Sequence, residues 1–289
     1  MSRCFFFVPA SDAGEIECDV MRKRLLGALL PAVALLAGFL PFVPAKGQFP
    51  AESTVAKDKR KGRKVKMGPS GPVPRTADGK VDLTGVWGYA NYTSDVAKDY
   101  EVGQVPFTPL GEKLFKERQA NEGVEDPEAR CLPTGVPRRD PYPSKIIQTP
   151  SVVVVLFEGN LHSFRQIFLD RKEHPKDINP SWWGDSIGHW ENNDTLVVDT
   201  VGFNGLTWLD LAGHPASDRL HVTERYSRPD YGTLKWEFTI TDPVMYTKPW
   251  SVTEMTPLMN YELMEYICTE NEKDAKHLDT ILEQFNKKK

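Results

Sequence analysis

From Val152 to Cys268 the chain repeats one pattern, in which apolar and polar side chains alternate in short runs. Turn-forming residues break the runs roughly every 10–20 residues. Val152–Phe157 is continuously apolar and Leu161–Leu169 alternates. Ile187–Glu191 and Thr195–Val201 flank Asn192-Asn193-Asp194, an Asn/Asp turn suited to a hairpin. Arg219–Ser227 pairs with Thr233–Thr241 across Arg228–Gly232, and Trp250–Thr256 and Glu262–Cys268 complete the series. A period of two buries one face of a strand, and with no helix between most strands the connections are antiparallel. The expected fold is therefore mostly β: an antiparallel barrel or sandwich. Asp82–Trp87 supplies a first strand, Val105–Gln119 a short helix entered through Pro109, and Arg130–Pro150 a Pro-rich irregular stretch. Ala275, Leu278, Ile281, Leu282 and Phe285 fall at helical spacing and predict a C-terminal helix over 272–285.

Charge divides the chain into three parts. The net charge is −4, from 36 Lys or Arg and 40 Asp or Glu. Residues 46–66 carry eight bases against Glu52 and Asp58, residues 1–45 balance, and 67–289 are left at −10. In 1–45, Arg22, Lys23 and Arg24 precede the apolar run Leu25–Leu40, and Val43 and Ala45 are the small residues of a cleavage site. That order is a secretory signal, and the Pro-interrupted run is shorter than the ~20 residues a spanning helix needs. The expected organisation is an N-terminal extension and signal over 1–45 and a basic flexible linker over 46–73. A barrel domain over 74–289 follows, periplasmic or secreted, with no membrane anchor after cleavage. Met21 is an alternative start. The basic run 57–66 suits weak contact with an anionic surface, whereas the acidic body argues against a nucleic-acid partner.

Cys131 and Cys268 are the cysteines of the mature domain. In an oxidising compartment a disulfide is the simplest state, with two buried free thiols as the alternative.

Gly85-Val86-Trp87 resembles the G-x-W start of lipocalins and other calycins. The chain from Pro74 onward is similar to a widespread family of exported bacterial proteins with no established activity. The likeness is carried by 74–87 (PRTADGKVDLTGVW), 130–138 (RCLPTGVPR), 164–170 (FRQIFLD), 184–191 (GDSIGHWE), 194–200 (DTLVVDT), 213–215 (GHP) and 265–274 (EYICTENEKD). The resemblance implies a calycin-like barrel and export, and names no reaction. Asn193 adds a residue to a turn that is usually shorter in that family.

Candidate chemistry clusters in the second half. Gly184-Asp185-Ser186-Ile187-Gly188 matches the letters of a nucleophile elbow but precedes a hairpin, where the elbow needs a strand, a turn and a helix. Alternation places His189 and Glu191 on one face and Asp199 with Val197 and Val201. It places His221, Thr223 and Arg225 opposite Leu220, Val222, Glu224 and Tyr226. If the polar faces line the barrel, His189, Glu191, Asp199, His214, Asp218 and His221 converge with Arg165 in a set suited to acid/base work. The alternative is a solvated outer face with cross-strand ion pairs. Two ligands in His189-x-Glu191, joined by His214 or His221, would be the start of a metal site. No longer motif reinforces it, so no metal or cofactor is expected. Trp182, Trp183, Trp208, Phe203 and Tyr226 are candidates for an apolar or stacking ligand floor.

The expected function is an exported barrel holding a small, partly apolar molecule in its cavity. The alternative is a cofactor-independent acid/base enzyme (lyase, isomerase, cyclase or hydrolase) using His, Asp, Glu and Arg in that cavity. The expected partner is a small-molecule ligand or substrate. Ligand identity, reaction class and oligomeric state are not legible in the chain.

Overall fold

The computed structural model describes residues 68–88, 94–100, 102–138, 142–159, 163–270 and 275–287. The expected leader over 1–45 and the tether up to residue 67 lie outside the described residues. Gly68 packs on Gly232, and Tyr231 N–H donates to Gly71 O at 3.0 Å, so the last part of the expected tether runs along a hairpin of the barrel.

The strands are β1 (Gly85–Trp87), β2 (Ser144–Gln148), β3 (Val152–Phe157), β4 (Phe164–Phe168) and β5 (Asp185–Glu191). They continue as β6 (Thr195–Val201), β7 (His221–Asp230), β8 (Thr233–Thr241) and β9 (Trp250–Pro257). They form one sheet in sequence order, β1 through β9. Gly88 N–H donates to Pro257 O at 2.9 Å and Met259 N–H to Val86 O at 2.8 Å, so the first strand meets the last and a calycin-like barrel closes. These two bonds join, at this point, the edges that an open sheet would leave bare.

The sheet departs from a pure antiparallel meander at one step. β4 and β5 pair in parallel, Ile167 beside Ser186 and Phe168 beside Ile187, after a crossover through 169–184. The stretch Glu262–Cys268 alternates as a strand would but is not one: no strand of the sheet pairs with it, and β1 meets the chain just after β9 at Leu258. Ser144–Gln148, inside the Pro-rich stretch, is a strand because β1 and β3 pair with it on both sides.

Local chemistry sets the elements. Asn192 and Asn193 both take positive φ (50° and 60°), the left-handed pair a tight β5–β6 turn requires and Asn tolerates. Asp95 caps α1 (Val96–Asp99), accepting from Ala97 and Lys98 N–H. Thr108 caps α2 (Pro109–Ala120), with Pro109 in its first turn. The C-terminal α3 spans Ala275–Asn286, and Asp279 on it pairs with Arg130.

The core sits inside the barrel, built from the inward rows of the strands: Ile146, Val153, Val155, Ile167, Leu196, Val198, Val222, Leu234, Trp236, Phe238, Ile240 and Val252. Trp87 is fully buried, donates to Leu83 O at 2.9 Å, and lies beneath the Arg228 guanidinium. A disulfide joins Cys131 to Cys268, 137 positions apart, and fixes the segment after β9 to the segment that follows α2. Among the described residues no helix is long and apolar enough to cross a membrane.

Candidate functional site

The strand pattern of β7 decides which polar residues lie inside. Val222, Glu224 and Tyr226 point inward and are buried; His221, Thr223 and Arg225 point outward. Of the two readings of the polar faces, the outer-face one holds for the His221 row, because Val222 and Tyr226, on the opposite row, carry the apolar area that must be buried. The inward row brings Glu224 with it.

Glu224 is 0% exposed and receives Arg165 Nη1 at 3.0 Å, Tyr226 Oη at 2.7 Å and Trp236 Nε1 at 3.1 Å. Arg165 also reaches Glu224 through Nη2, Thr200 Oγ1 at 2.7 Å through Nη2, and Ser186 Oγ at 3.1 Å through Nε. Burial works against the Arg165 charge, but the Glu224 carboxylate outweighs it and leaves Arg165 above its usual range. Ser186, the serine of the elbow-like motif, is therefore a partner of this ion pair, 1% exposed. Gly184 before it has φ +66°, and a Cβ there would lie 2.6 Å from Val201 O, so this glycine serves the turn into β5, while Gly188 lies within β5 against Ile167 and Leu169.

A second cluster lies on the outer face. Asp199 accepts from His221 Nε2 and contacts His174 Nε2 at 2.9 Å, while His174 Nδ1 contacts Asp185 at 2.7 Å. His174 belongs to the β4–β5 crossover and is clamped by carboxylates from β5 and β6. Burial tends to raise the Asp199 pKa, but the hydrogen bonds from His221 and His174 outweigh it, so Asp199 is held below the usual carboxylate range.

The third cluster stands at the end of the barrel, under α1 and α2. The β6–β7 loop turns sharply at Asp210–His214. Asp210 Oδ1 accepts His214 N–H at 3.0 Å, and Oδ2 accepts Val96 N–H at 2.8 Å and lies 2.7 Å from His214 Nδ1. Since a carboxylate only accepts, the Nδ1 proton is fixed toward Asp210, and in the neutral ring Nε2 carries the lone pair. The imidazole, 1% exposed, stacks on Phe107 (5.6 Å, 8°) and meets Phe115 (4.4 Å) and Trp250 (6.1 Å). Gly213 has φ +91°, and a Cβ there would sit 2.8 Å from Arg118 Cβ, so only glycine allows α2 this close. Burial pushes the Arg118 guanidinium down to about 10 and the Tyr246 phenol well up.

Asp95, Asp210 and His214 bring ligand atoms within 4.8 Å of one another, the one group among the described residues that could hold a metal ion. Its acids already have protein partners. Lys98 pairs with Asp95 at 2.9 Å, and although burial opposes the Asp95 charge, the Lys98 and helix N–H bonds hold it below its usual range. His189 and Glu191 are not brought to His214 or His221 as metal ligands.

The sequence-predicted acid/base set is thus distributed. Arg165 is inside; Asp199 and His221 are together outside; His214 is at the capped end. His189 is exposed on β5, Glu191 pairs with Arg225 at 2.6 Å on the outer face, and Asp218 is exposed in the loop before β7. The aromatic set is distributed too. Tyr226 and Phe203 are core, Trp183 stacks on Phe157 at 4.6 Å, Trp182 is half-buried in the crossover, and Trp208 lies beneath Arg118. Asp210, Arg118, Phe107, Phe115 and His174 were not in the predicted set. Asp210 and His214, four apart around a glycine, were the available signal for the turn; the helix residues carried none.

Compared with protein-family models, curated proteins and solved structures, the chain matches none.

Proposed function

We propose that this is an exported protein, periplasmic or secreted, that takes a small, partly apolar molecule at the capped end of its barrel, around His214. The observation that carries the reading is a histidine oriented by Asp210 and walled by Phe107, Phe115 and Trp250. Aromatic walls with a few fixed polar groups are the usual make-up of a small-molecule site. The middle of the barrel supports the reading less, since Arg165, Glu224, Ser186, Thr200 and Tyr226 fill it with groups already bonded to one another. The Cys131–Cys268 disulfide is compatible with an oxidising compartment and so with export.

One contact favours a second reading, acid/base catalysis by the same residues. Asp210 on Nδ1 orients the imidazole so that Nε2 is the basic atom, the arrangement a general base needs. Native mass spectrometry of the protein from the extracytoplasmic fraction tests the first reading. A retained small-molecule mass is expected in the wild type and lost in His214→Ala; retention unchanged in His214→Ala removes His214 from the site. If turnover is found, Asp210→Asn should cut kcat sharply while the melting curve stays cooperative, and full kcat in that variant rejects the catalytic reading.

A further inference from the structure

Arg118 lies on α2 with its side chain against Gly213, the residue before His214. Its guanidinium carbon stands 4.3 Å over the Trp208 ring, and Nη1 donates to Gly213 O at 3.2 Å. Among the described residues no other hydrogen-bond acceptor and no ion-pair partner is in place for it, so Nε and Nη2 of this half-buried side chain are left without a protein partner. The neighbouring acids are taken: Asp126 by Arg138 (2.8 and 2.9 Å), Glu125 by Asn121 (2.5 Å), and Asp210 by His214 and Val96.

The fully buried guanidiniums are finished differently. Arg165 and Arg138 have carboxylates. Arg228, which has none, spends Nε, Nη1 and Nη2 on the backbone carbonyls of Tyr231 and Asp82. Partial burial of a guanidinium with no ion-pair partner costs free energy, and burial lowers Arg118 to about 10 although the charges of Asp126, Glu125 and Asp210 pull the other way. Its planar fork matches the two oxygens of a carboxylate or phosphate, and with one face on Trp208 its edge remains for that contact.

We infer that Arg118 is the anchor for an organic oxyanion: the molecule taken at the His214 wall carries a carboxylate or phosphate that pairs with the guanidinium edge, and an apolar body that faces the aromatic rings. The inference rests on the small-molecule reading above and names its substrate class.

Calorimetric titration with benzoate, its neutral isostere benzamide, and phenyl phosphate tests it on the intact protein. Benzoate or phenyl phosphate should bind the wild type at least about tenfold more tightly than benzamide, the size of one charge-assisted contact. Arg118→Gln should erase that preference, Arg118→Lys should keep part of it, and both should melt cooperatively. Which oxyanion binds more tightly distinguishes carboxylate from phosphate. Equal binding of benzoate and benzamide, unchanged benzoate affinity in Arg118→Gln, or no saturable binding of either anion overturns the anchor. His214→Ala and Phe115→Ala separate the two claims. If they weaken benzamide and benzoate alike while Arg118→Gln does nothing, the site stands without the anchor. If only Arg118→Gln has an effect, an anion site stands without the aromatic wall.

Discussion

Arg165 is buried and Arg118 half-buried, and the protein treats the two guanidiniums in opposite ways. Arg165 ends in a carboxylate and two hydroxyls, with Tyr226 and Trp236 completing the Glu224 shell. Arg118 ends in one carbonyl and the face of an indole. A network with every donor matched specifies packing and leaves no room for a ligand atom; a cation with donors to spare is finished only by something outside the chain. The contrast separates what holds this barrel together from what it presents.

The largest expected effect breaks the matched side. Glu224→Ala leaves Arg165 buried without its partner and should cost about 3–5 kcal/mol in urea unfolding. Replacing both, Arg165→Met with Glu224→Leu, should cost far less; an equal loss would mean the pair does more than fill the barrel. Next comes the staple. Cys131→Ser, or reduction, should lower stability by about 2–4 kcal/mol, read as a lower melting temperature that reductant no longer shifts in the variant. An unchanged curve would show that the tail does not depend on its bond.

A smaller effect concerns the outer cluster. The Asp199 pKa is lowered on folding, so its contribution is present above the unfolded carboxylate pKa of about 4 and is lost as pH falls through the lower folded value. Asp199→Asn should flatten that acid limb and cost about 1 kcal/mol or less near neutrality, as partly exposed pairs do. An acid limb identical to the wild type's would assign the loss to other carboxylates. The smallest effect sharpens the other half of the comparison: Arg118→Gln should shift apo stability by no more than about 0.5–1 kcal/mol in either direction. A loss as large as that of Glu224→Ala would make Arg118 a structural residue after all.

The strands were largely legible. Thr195–Val201 and Thr233–Thr241 were read to the residue, because alternation there is set by one buried face. The pattern does not say which polar residue the buried row carries inward. On β7 it separated Glu224 from His221 correctly, yet chemistry drew attention to the histidine, and the interior belonged to the row with Val222 and Tyr226. Ser144–Gln148 was hidden because its strand character comes from partners on both sides and not from its Pro-rich surroundings. Arg118, Phe107 and Phe115 were illegible for the same kind of reason: nothing in Val105–Gln119 announces that it folds over the Asp210–His214 turn, which is about a hundred residues away. His174 had no strand pattern to place it and is held by carboxylates on two strands.

The parallel β4–β5 pairing makes the barrel two ribbons, β1–β4 and β5–β9, each formed from sequence neighbours and joined at two seams. Within β2–β4 and β7–β9 the loops to be closed are short, so these strands can pair early; adding β1 to β2 across residues 88–143 and closing β1 on β9 are the long-range steps. Arg165 comes from the first ribbon, and Glu224, Ser186 and Thr200 from the second. Cys131 and Cys268 likewise lie on opposite sides of that division. Both ties form when the ribbons meet, so they act chiefly on the rate of opening and little on the rate of collapse. For the exported protein proposed above, with no ATP-driven refolding machinery around it, a slow opening rate is the form of stability that lasts.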